Sequence, residues 1–105
     1  MNQKYEITDI VHPQYPWLHR IRALRDVRED VHAGDLGGFV QSEENLSQEG
    51  QCWVANNAVA AEESYISGDA IMWDYSCARG CAVISGKSRI GGEAIIEDHA
   101  IVTSG

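Results

Sequence analysis

From Cys52 to the end of the chain, every sixth residue is small. Cys52, Ala58, Ser64, Ala70, Ser76, Ala82, Ser88, Ala94 and Ala100 follow one another without a break. Two places after each stands an apolar residue: Val54, Ala60, Ile66, Met72, Ala78, Ile84, Ile90, Ile96 and Val102. Two places before each stands Gly, Asn, Asp or Glu: Gly50, Asn56, Glu62, Gly68, Asp74, Gly80, Gly86, Gly92 and Asp98. A period this short and this regular signals a repeat architecture. Two inward positions separated by one residue are what a strand's alternation gives. The residues two places before are those that tolerate unusual backbone angles or bond their own backbone, as a corner requires. Three such sides close a triangle, so the coil repeats after eighteen residues. Equivalent residues then stack at the inter-strand spacing of about 4.8 Å.

The blocks "ISGDAI", "ISGKSR", "IGGEAI" and "IEDHAI" resemble the hexapeptide pattern of left-handed parallel β-helices. The period of six argues against pentapeptide-repeat helices. The left hand is implied by the resemblance and not by the periodicity. The expected fold is all-β, a left-handed parallel β-helix of three to four triangular coils with an N-terminal β-hairpin cap. Residues 36–105 form the β-helix and residues 1–35 the cap, in one compact domain. Extending the frame backwards makes residues 36–53 a degraded first coil. Val40 and Leu46 then take the small-residue position, while Ser42 and Gln48 replace the large aliphatic one.

Within the cap, "HRIRALRDV" alternates weakly, with Ile21, Ala23 and Arg25 on one side and Arg20, Arg22 and Leu24 on the other. "KYEITDI" is its expected strand partner, and "HPQYPW" between them, with two prolines, is a turn or loop. The open end of a β-helix exposes unpaired backbone, so a cap is needed there. The leader "GDLGGFVQSEENLSQEGQCWV", residues 34–54, and the "RIRALRDV" before it are similar to phage and prophage hexapeptide-repeat proteins. That resemblance implies a viral or prophage origin and a capped β-helix, with no activity attached.

Charge is uneven. Residues 1–38 carry five Lys/Arg against six Asp/Glu, net −1, and residues 39–105 three against ten, net −7. Such an acidic body is repelled by nucleic acid and acidic membranes. The start "MNQKYEITDIVHPQ" is too polar for a signal peptide, and no apolar run approaches membrane-helix length. The expected location is the host bacterial cytoplasm. Three cysteines, Cys52, Cys77 and Cys81, form no complete disulfide framework and read as reduced thiols.

Catalytic and metal signals are thin. The coils contain one histidine, His99, at a corner. Many hexapeptide-repeat proteins are trimeric acyltransferases that use a histidine as general base between subunits, and His99 is the residue that would serve. That resemblance also implies an extruded loop, which the unbroken count does not show. Cys77 and Cys81 occupy different repeat positions, and His12, His19 and His32 lack ligand spacing, so no metal is expected. "GDLGG" lacks a phosphate-loop pattern. Thr103 is the lone threonine of the coils, against the threonine arrays of ice-binding β-helices. No cofactor and no catalytic residue is expected.

Two surfaces remain. Corner residues Glu62, Glu63, Asp69, Asp74, Glu93, Glu97 and Asp98, with Trp73 and Tyr75 as aromatic anchors, suggest a carboxylate ladder that mimics phosphates. The leading expectation is therefore a non-catalytic inhibitor that occupies a host protein, such as a nuclease or CRISPR effector subunit. The outward position after each small residue gives three columns: Trp53, Ile71, Arg89; Val59, Cys77, Ile95; and Tyr65, Val83, Ile101. Apolar columns mark interfaces, and one column is expected beneath the N-terminal segment. Val83, Ile90, Ile95, Ile96, Ile101 and Val102 are the expected self-association residues of a homodimer. A self-assembling structural β-helix is the second reading and a trimeric acyltransferase the third.

Overall fold

A computed structural model of the protein describes residues 3–104. Three cap-proximal strands come first: β1 (Tyr5–Val11), β2 (His19–Ala23) and β3 (Leu36–Val40). Nine short strands follow: β4 (Trp53–Val54), β5 (Val59–Ala60), β6 (Tyr65–Ile66), β7 (Ile71–Met72), β8 (Cys77–Ala78), β9 (Val83–Gly86), β10 (Arg89–Ile90), β11 (Ile95–Ile96) and β12 (Ile101–Ser104). They stack into three parallel faces, β4-β7-β10, β6-β9-β12, and β5-β8-β11, the last extended by β3, β2 and β1. Trp53 pairs with Ile71 and Ile71 with Arg89. Val59 pairs with Cys77 and Cys77 with Ile95. Tyr65 pairs with Val83 and Val83 with Ile101. The chain is a triangular parallel β-helix whose columns are those given by the eighteen-residue period.

The corners explain the repeat. All nine residues from Gly50 to Asp98 in steps of six have positive φ, between 57° and 73°. Five of them are glycine, and Asn56, Asp74 and Asp98 are types that tolerate this region. Glu62 is the exception, and its carboxylate reaches one coil along to accept from the Gly80 N–H at 2.8 Å. Gly68 shows why side chains are restricted at such corners, since a Cβ there would lie 2.9 Å from Gly86 N. Three residues separate the ends of each corner. The N–H of Ala58 donates to Ala55 O at 3.0 Å, and that of Ser64 to Ala61 O at 3.1 Å. The small inward position is serine where the hydroxyl can repeat that bond. Ser64, Ser76 and Ser88 donate to the carbonyls of Ala61, Trp73 and Ser85 at 2.7, 2.9 and 2.7 Å. Each buried hydroxyl therefore has an acceptor, which removes most of its desolvation cost.

The core is a single stack. Val54, Met72 and Ile90 line one inner face, Ala60 and Ala78 the second, and Ile66 and Ile84 the third, all buried. Small alanines opposite larger side chains let one narrow interior fill without voids.

The first coil departs from the extrapolated frame. Phe39 and Val40 pair with Val59 and Ala60, and Leu46 pairs with Ile66. Val40 and Leu46 therefore sit twenty residues, not eighteen, before their partners, and both occupy the large aliphatic position. Ser42 and Gln48 do not. From Cys52 onward the spacing is eighteen, with Trp53 against Ile71, so the two extra residues lie between Leu46 and Cys52. Asn45, buried within a 3-10 turn at Glu43–Asn45, closes this coil. Its Nδ2 donates to Glu62 O and Ser64 O at 3.0 and 2.9 Å, and its Oδ1 accepts from the N–H groups of Gln41 and Ser42.

The cap is a meander. β1 pairs antiparallel with β2, and β2 antiparallel with β3. Its inward residues Tyr5, Ile21 and Ala23 join the coil core. Tyr5 meets Trp53 edge to face at 6.4 Å between ring centroids and donates its hydroxyl to Leu46 O at 2.6 Å. The free edge of β1 is blocked at Tyr5 by the Gln48 amide, which accepts from Tyr5 N at 3.2 Å and donates to Tyr5 O at 3.3 Å. Such a side-chain clamp denies an edge to other strands. Lys4 is fully buried, with its Nζ 2.9 Å from Cys52 O, 3.2 Å from Glu49 O and 3.5 Å from Gly50 O. These carbonyls belong to the two-residue insertion and its border, so the insertion is the seat of the cap.

Candidate functional site

The three outward columns have different fates. The first is covered: Trp53 is 1% exposed and Ile71 buried, packed under the segment that carries Val27 and Val31. A groove of about 470 Å³ runs beside it, bounded by Asp30, Asp35, Leu36, Trp73 and Arg89. The second column is overhung at its upper end, where Leu18 and Phe39 pack on Val59. The third, Tyr65, Val83 and Ile101, is the most open among the described residues, with Tyr65 40% and Ile101 73% exposed. The N-terminal segment thus covers more than the one column expected, because the chain crosses the helix on two sides, with loop 12–18 and with segment 24–35.

Loop 12–18 creates the larger groove, about 660 Å³. Its floor is Val59, Cys77 and Ile95, its upper end Tyr15 and Trp17, and its sides Tyr75 with Glu93 and Glu62 with Arg79. This is a size at which proteins bind small molecules. His12 packs edge to face on Phe39 at 4.7 Å, and its Nδ1 accepts from Gln14 N at 3.1 Å. In the neutral ring that bond places the N–H on Nε2. Burial pushes the Cys77 thiol above its ordinary pKa, partly offset by Arg79, which keeps it protonated at neutral pH. Nothing in the sequence signalled this groove, because where loop 12–18 lands is set by tertiary packing.

The expected carboxylate ladder does not exist. A ladder needs stacked acids, and the coils from Cys52 onward, where the spacing is eighteen, provide none: Glu62 stacks on Gly80, Glu63 on Cys81, Asp74 between Asn56 and Gly92, and Asp69 between Gln51 and Lys87. Glu93 follows Tyr75, Glu97 follows Arg79, and Asp98 follows Gly80. Like charges at that spacing destabilise a sheet. Several acids are also committed. Asp69 accepts from Gln51 N at 3.1 Å, Glu62 from Gly80 N, and Glu97 from Arg79 Nε and Nη2 at 3.2 and 2.9 Å. The Cys81 thiol lies 3.8 Å from Glu63. Trp73 and Tyr75 do not act together either. Trp73 is half-buried with its ring laid over Gly91, where a Cβ would collide with it, whereas Tyr75 is 68% exposed in the other groove.

The expected self-association residues divide. Ile95 and Ile101 are exposed, Val83, Ile96 and Val102 half-buried. Ile90 is buried, contrary to expectation, because it completes the Val54–Met72 stack in the core. His99 is exposed at the corner after Asp98, beside the open third column and one coil from Cys81. Among the described residues no cluster of metal-ligating side chains occurs, and no helix is long and apolar enough to cross a membrane. The three cysteines are unpaired thiols.

By its repeats and its coils, the chain is a hexapeptide-repeat β-helix. It is 34% identical over 87 residues to a protein of Escherichia coli (strain K12) described as "Uncharacterized acetyltransferase YdcK". The match takes in 82% of this chain and 21% of that relative, so the chain spans about a fifth of it. No family model matches, and no solved structure does. The likeness to an acetyltransferase overturns the expectation of a non-catalytic inhibitor of a host effector, as the missing ladder does independently. It also removes the ground for expecting no enzyme.

Proposed function

We propose that this chain is an acyl-transfer module of the hexapeptide-repeat kind, moving an acetyl group from a thioester donor to an amine or alcohol. The observation that carries this reading is the 34% identity over 87 residues to a protein described as an acetyltransferase. His99 is the general base, taking a proton from the acceptor as it attacks the thioester carbonyl. Its ring is exposed at the margin of the uncovered Tyr65–Val83–Ile101 face. A second copy seated on that face would shield His99 from water and complete the site, as apolar columns favour. The groove under loop 12–18 is the cleft offered to a ligand. The reduced thiols suit a bacterial cytoplasm, and the leader's likeness to phage and prophage proteins supports a source of that kind.

The test is acetyl-coenzyme A binding by the full chain, followed by thiol release with amine and alcohol acceptors. We expect binding by wild type and His99→Ala alike, with turnover lowered about 100-fold or more in the variant. Absence of acetyl-coenzyme A binding would sink the acyl-transfer reading. Separately, Ile101→Glu is expected to reduce the native mass in light scattering to that of one chain. An unchanged mass would show that the third face is not the interface.

A further inference from the structure

The N-terminal end of the β-helix holds a nitrogen and a sulfur against each other. Lys4 Nζ lies 3.1 Å from Cys52 Sγ, and both residues are 0% exposed. Neither is held loosely. Nζ is also bound to three carbonyls, those of Cys52, Glu49 and Gly50. The thiol lies 3.6–3.7 Å from the carbonyls of Ser47, Glu49 and Ile66. Backbone therefore fixes both partners in facing positions, where the effective concentration of one for the other is high. Burial holds the Lys4 amine below its ordinary pKa, which raises the share of free amine with a lone pair. The two remaining cysteines lie elsewhere, Cys77 on the groove floor and Cys81 at a corner beside Glu63, so neither competes for Cys52.

We propose that Lys4 and Cys52 are a redox modification site, at which peroxide joins Nζ to Sγ through a single bridging oxygen and staples the cap to the first coil. Hydrogen peroxide first oxidises the thiol to a sulfenic acid and leaves as water. A second peroxide then takes two electrons and two protons from the sulfenic O–H and the Lys4 N–H as the oxygen–nitrogen bond forms. It leaves as two waters. The bridge is Sγ–O–Nζ with one hydrogen kept on nitrogen. Two dithiol molecules reverse it, returning thiol, amine and one water and becoming two disulfides. An oxygen between atoms already at contact distance needs less movement than a direct sulfur–nitrogen bond. Access comes from the exposed corner Glu49–Gln51, directly before Cys52, and from brief local opening of the first strand. The link closes a loop with 48 residues of sequence separation, long enough for a cross-link to restrict the unfolded chain substantially.

The test uses the full chain carrying Cys77→Ser and Cys81→Ser, which leaves Cys52 as its one thiol. It is treated with graded hydrogen peroxide, then analysed by intact mass and tryptic peptide mass spectrometry without reductant. The expected product has gained one oxygen and lost two hydrogens, joins the Lys4 and Cys52 peptides, resists cleavage after Lys4, and disappears with dithiothreitol. Its unfolding midpoint rises by about 10 °C or more. The same chain treated in urea keeps both groups without their proximity, and it should yield Cys52 sulfinic acid with Lys4 free. Three results on the folded chain would overturn the proposal. They are Cys52 sulfinic acid with trypsin still cutting at Lys4, a direct sulfur–nitrogen bond lacking the oxygen, and a thiol left unreacted at a dose that oxidises the urea-unfolded chain.

Discussion

Gly38→Ala is expected to lower the thermal midpoint by about 15 °C, or to leave the protein unfolded. Gly38 sits in β3, where the cap strand meets the first coil. A Cβ there would overlap the Ala58 carbonyl and lie 2.7 Å from Val54 Cγ1. Neither neighbour can yield cheaply. Ala58 O accepts the Phe39 N–H at 2.9 Å, part of the ladder that joins β3 to β5, and Val54 is at the centre of the core. Overpacking at such a point costs about 3 kcal/mol, against a total stability of roughly 5–15 kcal/mol. Gly92→Ala is the comparator. Its added Cβ meets nothing within 4 Å, though its φ is 62°, so only backbone strain of about 1 kcal/mol is expected. Thermal melts followed by circular dichroism separate the two, and equal losses would show that β3 does not carry the cap.

Lys4→Ala is the second large effect, about 3 kcal/mol of destabilisation in urea. The side chain supplies donors to Cys52 O, Glu49 O and Gly50 O, and truncation leaves the buried Cys52 carbonyl without that donor and empties the volume the side chain fills. Lys4→Met restores the packed volume but not the donors, so it should recover part of the loss and no more. The charge has a cost of its own. Burial lowers the Lys4 pKa, with opposing help from Cys52, a further lowering from Arg25 and a small raising from Asp69. The native pKa therefore lies below the unfolded value of about 10.5. Between the two, the unfolded chain holds a proton that the native chain has released, so stability rises with pH. The gain is complete above about pH 10.5 and is lost as pH falls through the native value. Wild type measured against Lys4→Met should gain stability on going from neutral to alkaline pH. A flat difference would mean that the amine is solvated.

Much of the fold was legible because the six-residue count never slips after Cys52. Small, corner and aliphatic positions each had nine chances to contradict the pattern. All nine corners have the positive φ the residue types suggested. The first coil was less legible, since Val40 and Leu46 are apolar and fit either inward position, which hid a two-residue insertion. Lysine is almost never fully buried, so Lys4 gave no sign that it anchors the cap. For the site, the decisive arithmetic was present and points the other way from the charge. Within the coils from Cys52 onward, no two acids stand eighteen residues apart, although net charge and corner placement alone suggest a ladder. The larger groove was hidden for a different reason. Loop 12–18 carries its aromatics with no periodicity, and nothing local dictates where Tyr15 and Trp17 come to rest.

The seat of the cap also sets an order of events during synthesis. Lys4 finds its acceptors at residues 49–52, so the first strand waits for residues up to 48 positions later to leave the ribosome before it can lock. That is the slow, long-range closure of the chain. Every later coil needs only its own eighteen residues and the edge laid down before it. Emerging segments can therefore wind on one turn at a time, from the locked end outward, with little more than one coil's worth of sticky edge exposed at any moment.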